Sequence, residues 1–526
     1  MTERPPGRTR RSRVLATAGL LAIAGSLLAA APAQAAPPGC DNRNNNSVRK
    51  LTDCVTLEGV REHLVALQGI ADANGGTRAS GTPGYDASAD YVADQARRAG
   101  LVVTVQEFQF PFFQELAPGT LAQVSPTPTS YPATEVFTGT YSGKGDVTAP
   151  VQAVDIVNPP GATPGSTSGC EAADFADFTA GNIALLQRGT CDFATKARNA
   201  EAAGAVAAII FNEGQPGRTD PFGGTLGAPG IEIPVVFTSF ATGTALNGTT
   251  ARVTTDTVSE NRTTSNVFAE TRRGSRDSVL MVGAHLDSVI AGPGINDNGS
   301  GSAAILEVAQ LISKARTEQT IRFAWWGAEE LGLLGSEHYV ANLPQAERDE
   351  ITAYLNFDMV ASPNFARFIY DGDDSDAVGA PAGPEGSAAI EDVFQTFYTE
   401  RGLAYEGTDF SGRSDYGPFI AAGVDIPSGG LFTGAEGLKT PEQAARYGGV
   451  AGVAYDENYH EVGDTIANIN DEALDQNADA IAYATFTLAS TRSLVPNPAV
   501  ADTAGDINGG GGLHDDHDHD HELPSS

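Results

Sequence analysis

The sequence is poor in positive charge. Its 526 residues carry 32 Lys and Arg against 66 Asp and Glu, which gives a formal net charge of −34 at pH 7. So acidic a surface repels phosphate backbones and anionic lipids, which disfavours nucleic acids and membrane surfaces as partners. Hydrophobic residues make up 41% of the chain, enough to exclude wholesale disorder. The length is too great for one ordinary core, so we expect two domains with accessory segments.

Apolar runs long enough to span a bilayer are lacking beyond the N-terminus. Arginines precede an apolar run over 14–31, and an Ala-Gln-Ala sequence ends at residue 35. A basic region, a short apolar stretch and an A-x-A site are typical of a secretory signal peptide. We therefore interpret 1–35 as a leader removed on export, with a lasting membrane anchor as the alternative. The mature protein is expected to be secreted, monomeric and free of membrane contact.

Cysteine is scarce as well, and no C-x-x-C pair occurs, which disfavours a cysteine-based zinc site. The four cysteines form two close pairs, Cys40 with Cys54 and Cys170 with Cys191. Four cysteines allow three connectivities. Each close pair would form a modest loop within one segment, so we expect local pairing. Buried free thiols are the alternative, although disulfides persist outside the cytosol.

Apolar periodicity divides the first half of the chain into two segments with different secondary-structure patterns. Residues 57–74 and 85–100 have the apolar spacing of helices, and 101–110 alternates like a strand. From about 111 to 261, Pro, Gly and Thr surround short apolar strands, and only 193–203 has the pattern of a helix. This second segment is predicted to be a small β-rich insert with some helix.

Strands and helices alternate after residue 264, which predicts a mixed α/β sheet covered by helices. The predicted strands are 278–284, 320–326 and 353–359, and the predicted helices are 302–315, 336–343, 387–401 and 471–491. Residues 494–526 have no periodicity and are interpreted as a disordered tail rich in Asp and His. A solubilising role and a zinc-collecting role both stay open for this tail.

Histidine is scarce enough to indicate a site. Of eight histidines, four lie in the tail, which leaves His63, His285, His338 and His460 for the folded part. His285 follows an apolar strand in the sequence Gly-Ala-His-Leu-Asp-Ser, and open α/β sheets place their sites at strand ends. His63 and His338 lack such a context and are interpreted as surface or packing residues.

Carboxylates recur at the neighbouring strand ends and in a glycine-rich loop. Zinc accepts imidazole and carboxylate ligands, and a catalytic site keeps one position open for water. Two imidazoles and three carboxylates therefore suit a hydrolytic site with two metal ions. These candidates are His285, Asp297, Glu330, Asp358 and His460. The adjacent Glu329 is not counted among the metal ligands. Hydrolysis needs a base beside the metal-bound water, and Glu329 is available for that role.

These motifs resemble those of the secreted co-catalytic dizinc aminopeptidases, a family of zinc exopeptidases. The family patterns read G-H-x-D, G-x-D-D/N-x-x-S/G-G, E-E-x-G-x-x-G-S, N-x-D-M and a late Y-H. This sequence has the similar Gly-Ala-His-Leu-Asp at 283–287 and Gly-Ile-Asn-Asp-Asn-Gly-Ser-Gly at 294–301, followed in order by full matches to the last three patterns. The resemblance covers roughly 55–112 and 262–492. The resemblance implies an α/β fold in which helices sandwich a mixed β-sheet. It also implies hydrolysis that removes N-terminal residues from peptides with a free N-terminus.

The resemblance further implies two zinc ions per chain. It assigns His285 and Asp358 to one zinc ion, and Glu330 and His460 to the other. Asp297 corresponds to the carboxylate that bridges them. Cobalt or manganese stays open as the metal, and calcium is a further candidate on so acidic a surface.

Catalytic roles are implied in the same way. Glu329 corresponds to the general base, and Tyr459 to the hydroxyl that stabilises the tetrahedral oxyanion. Asp287 corresponds to a carboxylate that orients His285. Ser414 is implied, less directly, to orient the late histidine. Pocket walls are expected from loops 371–383 and 431–449, and the preferred side chain stays open.

The insert resembles the protease-associated domain, in the Gly-Asn-Ile-Ala-Leu-Leu-Gln-Arg-Gly-Thr-Cys-Asp-Phe sequence at 181–193 and the Ile-Ile-Phe-Asn sequence at 209–212. In that family the domain has no catalytic residues and narrows access to a neighbouring peptidase site. The predicted segments are a signal peptide at 1–35, a first peptidase part at 36–112, the insert at 113–261, the main peptidase part at 262–493 and the tail at 494–526.

Three other readings stay open. Carboxypeptidases of the same superfamily also carry this insert, but they usually add a long C-terminal helical domain. Glutaminyl cyclases share the fold and transfer no water. A catalytically inactive, receptor-like relative would lack metal ligands, whereas all five candidates are present here.

Overall fold

The computed structural model describes residues 37, 39–40, 42–377 and 379–492. The interpretations of 1–35 as a leader and of 494–526 as a disordered tail lie outside these residues. Across the described ranges, no helix has both the length and the apolar character that a bilayer crossing requires.

Helices and strands of the described residues are numbered separately in chain order. The helices are α1 Val48–Thr52, α2 Leu57–Ala73, α3 Pro83–Ala99, α4 Phe193–Ala202, α5 Phe240–Leu246, α6 Gly301–Ile312, α7 Leu334–Asn342, α8 Gln345–Glu350, α9 Ser387–Glu400, α10 Gly417–Ile420, α11 Pro441–Tyr447 and α12 Asp471–Ala489. The strands are β1 Val102–Ser125, β2 Thr129–Ser130, β3 Phe137–Thr138, β4 Gly145–Ala153, β5 Ile183–Gln187, β6 Ala207–Phe211, β7 Val235–Thr238, β8 Thr250–Glu270, β9 Ser275–His285, β10 Gln319–Trp326, β11 Ile351–Phe357, β12 Phe368–Tyr370, β13 Glu406–Thr408 and β14 Ser428–Phe432.

The strands that precede the candidate site residues belong to one mixed sheet. Its order is β13-β12-β14-β11-β9-β10-β8. Strand β9 pairs in parallel with β10 and β11, and β11 pairs in parallel with β14. Strand β8 pairs antiparallel with β10. Because the parallel strands end at the same edge, residues that follow β9, β10 and β11 meet there.

Helices cover both faces of this sheet, because side chains alternate along each strand. On β9, Leu280 and Val282 belong to the large core that α2, α3, α6, α9 and α12 complete. Met281 points to the other face, where Trp326 and Phe419 belong to an aromatic cluster. Each such buried apolar side chain contributes about 1.5–3 kcal/mol. The predicted α/β fold class is confirmed.

The predicted helices form, and local signals define their ends. The Thr56 hydroxyl accepts a hydrogen bond from the Gly59 amide and caps α2. Pro83 opens α3, and Gly100 ends it with a φ of 91°, a left-handed conformation that glycine adopts at low cost. The insert contains a second helix, α5, that the sequence reading missed. Its β-branched and glycine residues have low helix propensity, and a Ser239 cap supports it.

Two long strands connect the insert to the peptidase sheet. Strands β1 and β8 pair antiparallel from Val102 with Glu270 to Ser125 with Thr250. The sequence predicted that the first strand ends at residue 110, before Pro111, and this was wrong. Within the described chain, β1 pairs only with β8 and the short β2, so Pro111 lies on an edge strand. Proline is tolerated there because no second neighbour needs its missing N–H.

The strands of the insert extend the sheet beyond β8, with which β4 pairs antiparallel. Strands β4, β5, β6 and β7 pair in parallel in that order, and β3 pairs antiparallel with β7. Strands β5 and β6 are buried along their whole length between α4 and α5. The predicted boundaries at 112/113 and 261/262 fall inside β1 and β8, so the domain limits stay a prediction.

Both expected disulfides are present. Cys40 is bonded to Cys54 with an S–S distance of 2.03 Å, and Cys170 to Cys191 at 2.08 Å. The prediction of local pairing is therefore confirmed, and the described residues contain no free cysteine.

Candidate metal centre

The structure brings the strand-end residues together around His285. This side chain ends β9, is 1% exposed and points its Nε2 into the centre. Its Nε2 lies 3.2 Å from Oδ1 of Asp297 and 3.3 Å from Oδ1 of Asp358. Oε2 of Glu329, which follows β10, lies 3.8 Å from the same nitrogen. Imidazole and three carboxylates thus converge at one edge of the sheet.

Asp297 lies between the two histidines. It belongs to a π-helical turn, Ile295–Ser300, that leads directly into α6. Its Oδ1 faces His285, and its Oδ2 lies 3.2 Å from Nε2 of His460. The same His460 nitrogen lies 3.0 Å from Oε2 of Glu330. Asp297 therefore has one oxygen for each of two neighbouring ligand groups, as a bridging carboxylate requires.

The donor set suits divalent cations. His285, Asp297 and Glu330 form one group with ligand atoms within 4.8 Å of one another, and His285, Glu329 and Asp358 form another. Oε1 of Glu330 and Oδ2 of Asp287 are buried without a hydrogen-bond partner among the described residues. Buried carboxylate oxygens without a donor are costly unless a cation satisfies them. Nitrogen and oxygen ligands of this kind suit zinc.

The crowded charges shift the titration of the site. Burial, followed by the charge of Asp297, raises the pKa of Glu330 to about 8. Burial also raises the pKa of Glu329 well above its ordinary value, against the attraction of His285. Burial lowers the pKa of His460, but its hydrogen bonds to Asp297 and Glu330 outweigh this and raise it to about 10. A cation that enters this cluster must displace protons.

Strained backbone surrounds the ligands. Ala328, immediately before Glu329, has a φ of 57°, Met359, immediately after Asp358, has a φ of 47°, and His460 has a φ of 59°. Left-handed conformations of non-glycine residues cost about 1–3 kcal/mol each. They persist only where neighbouring contacts hold them, so the ligand positions are held by the surrounding fold.

Asp287 connects two of the strand ends. Its Oδ1 accepts a hydrogen bond of 3.2 Å from the amide of Glu329 and lies 3.7 Å from Nδ1 of His285. The same imidazole nitrogen lies 3.2 Å from the backbone oxygen of Asp287. Orientation of the His285 ring thus comes from the backbone of this residue as well as from its nearby carboxylate.

Ser414 contacts a different ligand from the one expected. Its hydroxyl donates a hydrogen bond of 2.6 Å to Oδ2 of Asp358 and accepts one of 2.8 Å from Nδ2 of Asn356. The expectation that Ser414 orients His460 was wrong. Both partners lie at the end of β11, so the loop that carries Ser414 packs against that strand end.

Asp464 is a functional residue that the sequence reading missed. It is 2% exposed, and its two oxygens accept hydrogen bonds of 2.8 Å and 2.9 Å from the amides of Asn296 and Asp297. These bonds hold the turn that carries Asp297. Its position four residues after His460 is the only local signal that pointed to it.

A cavity of about 360 Å³ opens onto the centre. Carboxylates form its inner end, and aromatic or apolar side chains form much of its wall. These are Met359, Phe368, Tyr370, Tyr416, Phe432 and Tyr455. Residues of the predicted wall loop 431–449 line it, but none of the described residues of 371–383 does. Residues of the segment 408–416 take that place. The loop prediction was therefore right for one wall and wrong for the other.

Tyr459 lies at the same cavity, beside the only Lys or Arg among its described lining residues. Its ring stacks on the His460 imidazole with the centroids 3.8 Å apart. Its hydroxyl lies 3.4 Å from Nη2 of Arg413. Arg413 in turn forms an ion pair of 2.9 Å with Glu436, so its charge is compensated and the cavity stays acidic.

His63 and His338, which were predicted to lie outside the site, pack against neighbouring side chains. His63 is buried, with Nδ1 2.7 Å from the Tyr91 hydroxyl and Nε2 3.5 Å from Glu307. His338 stacks on Phe108 with the ring centroids 5.0 Å apart.

Comparisons with known proteins match this architecture. The model of peptidase family M28 matches residues 266–485, and that of the PA domain matches 147–246. The chain is 50% identical over 457 residues to an aminopeptidase of Pseudomonas aeruginosa, covering 86% of this chain and 84% of that relative. It is 44% identical over 444 residues to a probable lipoprotein aminopeptidase, LpqL, of Mycobacterium tuberculosis, covering 82% and 85%.

Solved structures show the same fold. The aminopeptidase from Aneurinibacillus sp. strain AM-1 aligns with a TM-score of 0.59 and 28% identity, covering 86% of this chain and 98% of that one. BSAP, a zinc aminopeptidase from Bacillus subtilis, aligns with a TM-score of 0.51 and 27% identity, covering 81% and 94%.

Proposed function

The chain belongs to peptidase family M28, with a PA domain within it, and we propose that it is a zinc-dependent aminopeptidase that removes N-terminal residues from peptides. The observation that carries the proposal is the position of Asp297, with one oxygen 3.2 Å from His285 and the other 3.2 Å from His460. The aminopeptidase relatives and the acidic inner end of the cavity support the substrate class.

Five side chains would hold two zinc ions. His285 and Asp358 would bind one, Glu330 and His460 the other, and Asp297 both. The unpartnered, buried Oε1 of Glu330 supports this assignment. When bound, zinc supplies Lewis acidity, which lowers the pKa of a water molecule at the site and polarises the peptide carbonyl.

Glu329 is proposed as the general base. It lines the cavity beside the proposed metal ligands, and burial raises the pKa of its carboxylate, which strengthens its affinity for a proton. Its carboxylate takes the proton of the attacking water and delivers it to the departing amine. Asp287 supports this position because it accepts the hydrogen bond of the Glu329 amide.

Tyr459 is proposed as the donor to the oxyanion. Tyr459 lines the cavity, and its hydroxyl lies 3.4 Å from Nη2 of Arg413. A neutral hydroxyl that donates to the developing charge would stabilise the transition state more than the substrate.

The acidic inner end of the cavity explains why the enzyme would cleave peptides at the N-terminus. A free α-ammonium group is attracted by carboxylates such as Glu329 and Asp358, and an internal peptide bond offers no such group. The aromatic wall suits a large apolar side chain on the residue that is removed.

Peptides blocked at one end test the exopeptidase direction. We expect cleavage of a peptide with a free N-terminus and an amidated C-terminus, and no cleavage of the same sequence with an acetylated N-terminus and a free C-terminus. The reverse pattern would establish a carboxypeptidase instead. Chelation should abolish activity and zinc should restore it, while metal analysis of the active protein should find two zinc ions per chain; one ion, or activity that survives chelation, would contradict the mechanism.

The remaining expectations about the mature protein are also proposals. Export agrees with the two disulfides, which persist outside the cytosol. A monomeric state and the use of the insert at 113–261 to narrow access to the site are proposed on the family resemblance alone. Calcium stays a prediction: Asp371, Asp373 and Glu391 form an acidic group apart from the centre, but nothing else indicates an ion there.

A further inference from the structure

Arg78 is a fully buried cation directly beneath the candidate metal centre. It lies between α2 and α3 and is 0% exposed. In the described part of the chain it forms no ion pair with a carboxylate, and its side-chain hydrogen bonds go to backbone carbonyl oxygens. A buried guanidinium without a paired carboxylate is costly, so its position calls for a physical reason.

The guanidinium joins the two loops that carry neighbouring ligands. Nη1 donates to the carbonyl oxygen of Leu286, the residue after His285. Nε donates to Pro293 at 2.8 Å and Nη2 to Gly294 at 2.5 Å, at the start of the turn that carries Asp297. One planar group therefore bridges the strand-end loop and the bridging-ligand loop.

Further contacts hold this segment in place. The Arg78 amide donates a hydrogen bond of 3.0 Å to the Ser288 hydroxyl, and the Thr77 hydroxyl donates one of 3.0 Å to the carbonyl of Val289. The Ser288 hydroxyl donates in turn to the carbonyl of Gly292 at 3.0 Å. The side chain and backbone of Arg78 thus support both ends of the 286–294 loop.

The charge of Arg78 is balanced at a distance by the centre itself. Burial lowers its pKa to about 10, and the carboxylates of Asp287, Asp464, Asp297 and Glu330 counteract that effect. The guanidinium therefore remains a cation, and it offsets part of the repulsion among carboxylates before any metal enters.

We propose that Arg78 is a positioning residue that fixes the spacing between His285 and Asp297 and thereby sets the zinc affinity of the centre. The inference rests on the proposed metal centre. Geometry distinguishes this role from charge alone, because three separate nitrogens of the planar guanidinium each donate to a different carbonyl oxygen. Lysine keeps the charge and three N–H donors, but all three belong to one nitrogen and cannot match the spacing of these oxygens.

Arg78→Lys tests the proposal with Arg367→Lys as the matched control. Arg367 is also buried, at 5% exposed, and donates to Gln476 and to the carbonyl of Ala404, away from the ligands. Zinc affinity is measured by competition with a chromophoric chelator, and thermal unfolding is measured in EDTA. We expect Arg78→Lys to lose about 10- to 100-fold in zinc affinity, and Arg367→Lys to bind zinc as the wild type does.

Each outcome decides the inference. Wild-type zinc affinity in Arg78→Lys overturns it. The inference also fails if Arg78→Lys and Arg367→Lys lose equal zinc affinity while their unfolding temperatures in EDTA fall equally. If Arg78→Lys does not fold, Ser288→Ala, which removes the acceptor of the Arg78 amide, should show a smaller loss in the same direction, and an unchanged affinity overturns the inference. Absence of zinc binding by the wild type would instead overturn the proposed function.

Discussion

Ser414 donates a hydrogen bond of 2.6 Å to Oδ2 of Asp358, although 56 residues separate the two in the chain. The other oxygen of that carboxylate lies 3.3 Å from Nε2 of His285. The serine therefore decides which oxygen of Asp358 faces the centre, so a residue outside the proposed ligand set orients a member of that set.

Removal of the Ser414 hydroxyl should weaken zinc binding. We expect Ser414→Ala to lose about 10- to 100-fold in zinc affinity, because Asp358 is then free to rotate. Competition with a chelator measures the loss. Ser313→Ala, which removes a hydroxyl bonded to Gln310 at the end of α6, is the control and should bind zinc normally. Equal affinities in the two variants would refute the role of Ser414.

Glu329→Gln should separate metal binding from turnover. The amide cannot accept the proton of the water, so kcat should fall by at least about 10²- to 10⁴-fold. The zinc content should stay at the wild-type value, because Glu329 is outside the proposed ligand set. Glu337→Gln, on the exposed face of α7, serves as the control. Normal kcat in Glu329→Gln would exclude it as the base.

Tyr459→Phe should reduce kcat while KM changes little. Loss of one donor to a developing oxyanion costs about 10²- to 10³-fold in rate. The ring and its stacking on His460 are retained, so zinc affinity should be unchanged. Steady-state kinetics check the prediction, with Tyr483→Phe in α12 as the control. A change confined to KM would assign Tyr459 to substrate binding instead.

The Cys40–Cys54 disulfide should contribute to stability and not to catalysis. It closes a loop with a sequence separation of 14 and lies next to α1, which packs on α12. Replacement of both cysteines by serine should lower the free energy of unfolding by about 2–4 kcal/mol. Urea unfolding measures this difference, and kcat should not change. An unaltered urea midpoint of unfolding would show that the disulfide does not stabilise the folded state.

The pH dependence of stability should include a contribution from Asp479 in α12. Burial, together with Asp475, raises its pKa to about 7, and Arg401 opposes the shift. In the unfolded chain the pKa of an Asp is about 3.9. Between about pH 4 and pH 7 the folded state therefore holds a proton that the unfolded state releases, so the free energy of unfolding falls as pH rises.

Asp479→Asn should flatten this dependence. Urea unfolding at about pH 4, 5.5 and 7 compares the variant with the wild type. The free energy of unfolding of the variant should rise relative to that of the wild type as pH rises. Asp392→Asn, at an exposed position of α9, is the control. If the two proteins lose stability in parallel across this range, the assignment to Asp479 is wrong.

Much of the fold could be predicted because its signals are local. Apolar periodicity located α2, α3, α6, α9 and α12 within a few residues, and Gly100 marked the end of one helix. Exceptions arose where tertiary contacts overrode local preference. Pro111 is accommodated in β1 because β1 is an edge strand there, and α5 forms despite weak propensity because it covers buried strands.

The candidate ligands could be predicted for a similar reason. His285 is the last residue of its strand, and Glu330 and Asp358 come shortly after theirs. Parallel neighbouring strands bring such residues to one edge of the sheet. Their assignment to individual zinc ions came from the family resemblance and stays a prediction.

By itself, the sequence determined the order and type of the elements, the α/β class, the disulfide pairs and the residues that gather at the strand ends. Residue type, periodicity and short spacing carry that information. Only the tertiary structure decided that Ser414 meets Asp358, that Asp464 holds the turn of Asp297, and that Arg78 bridges two loops. These contacts join residues far apart in the chain, so they depend on strand order and register, which no local pattern encodes.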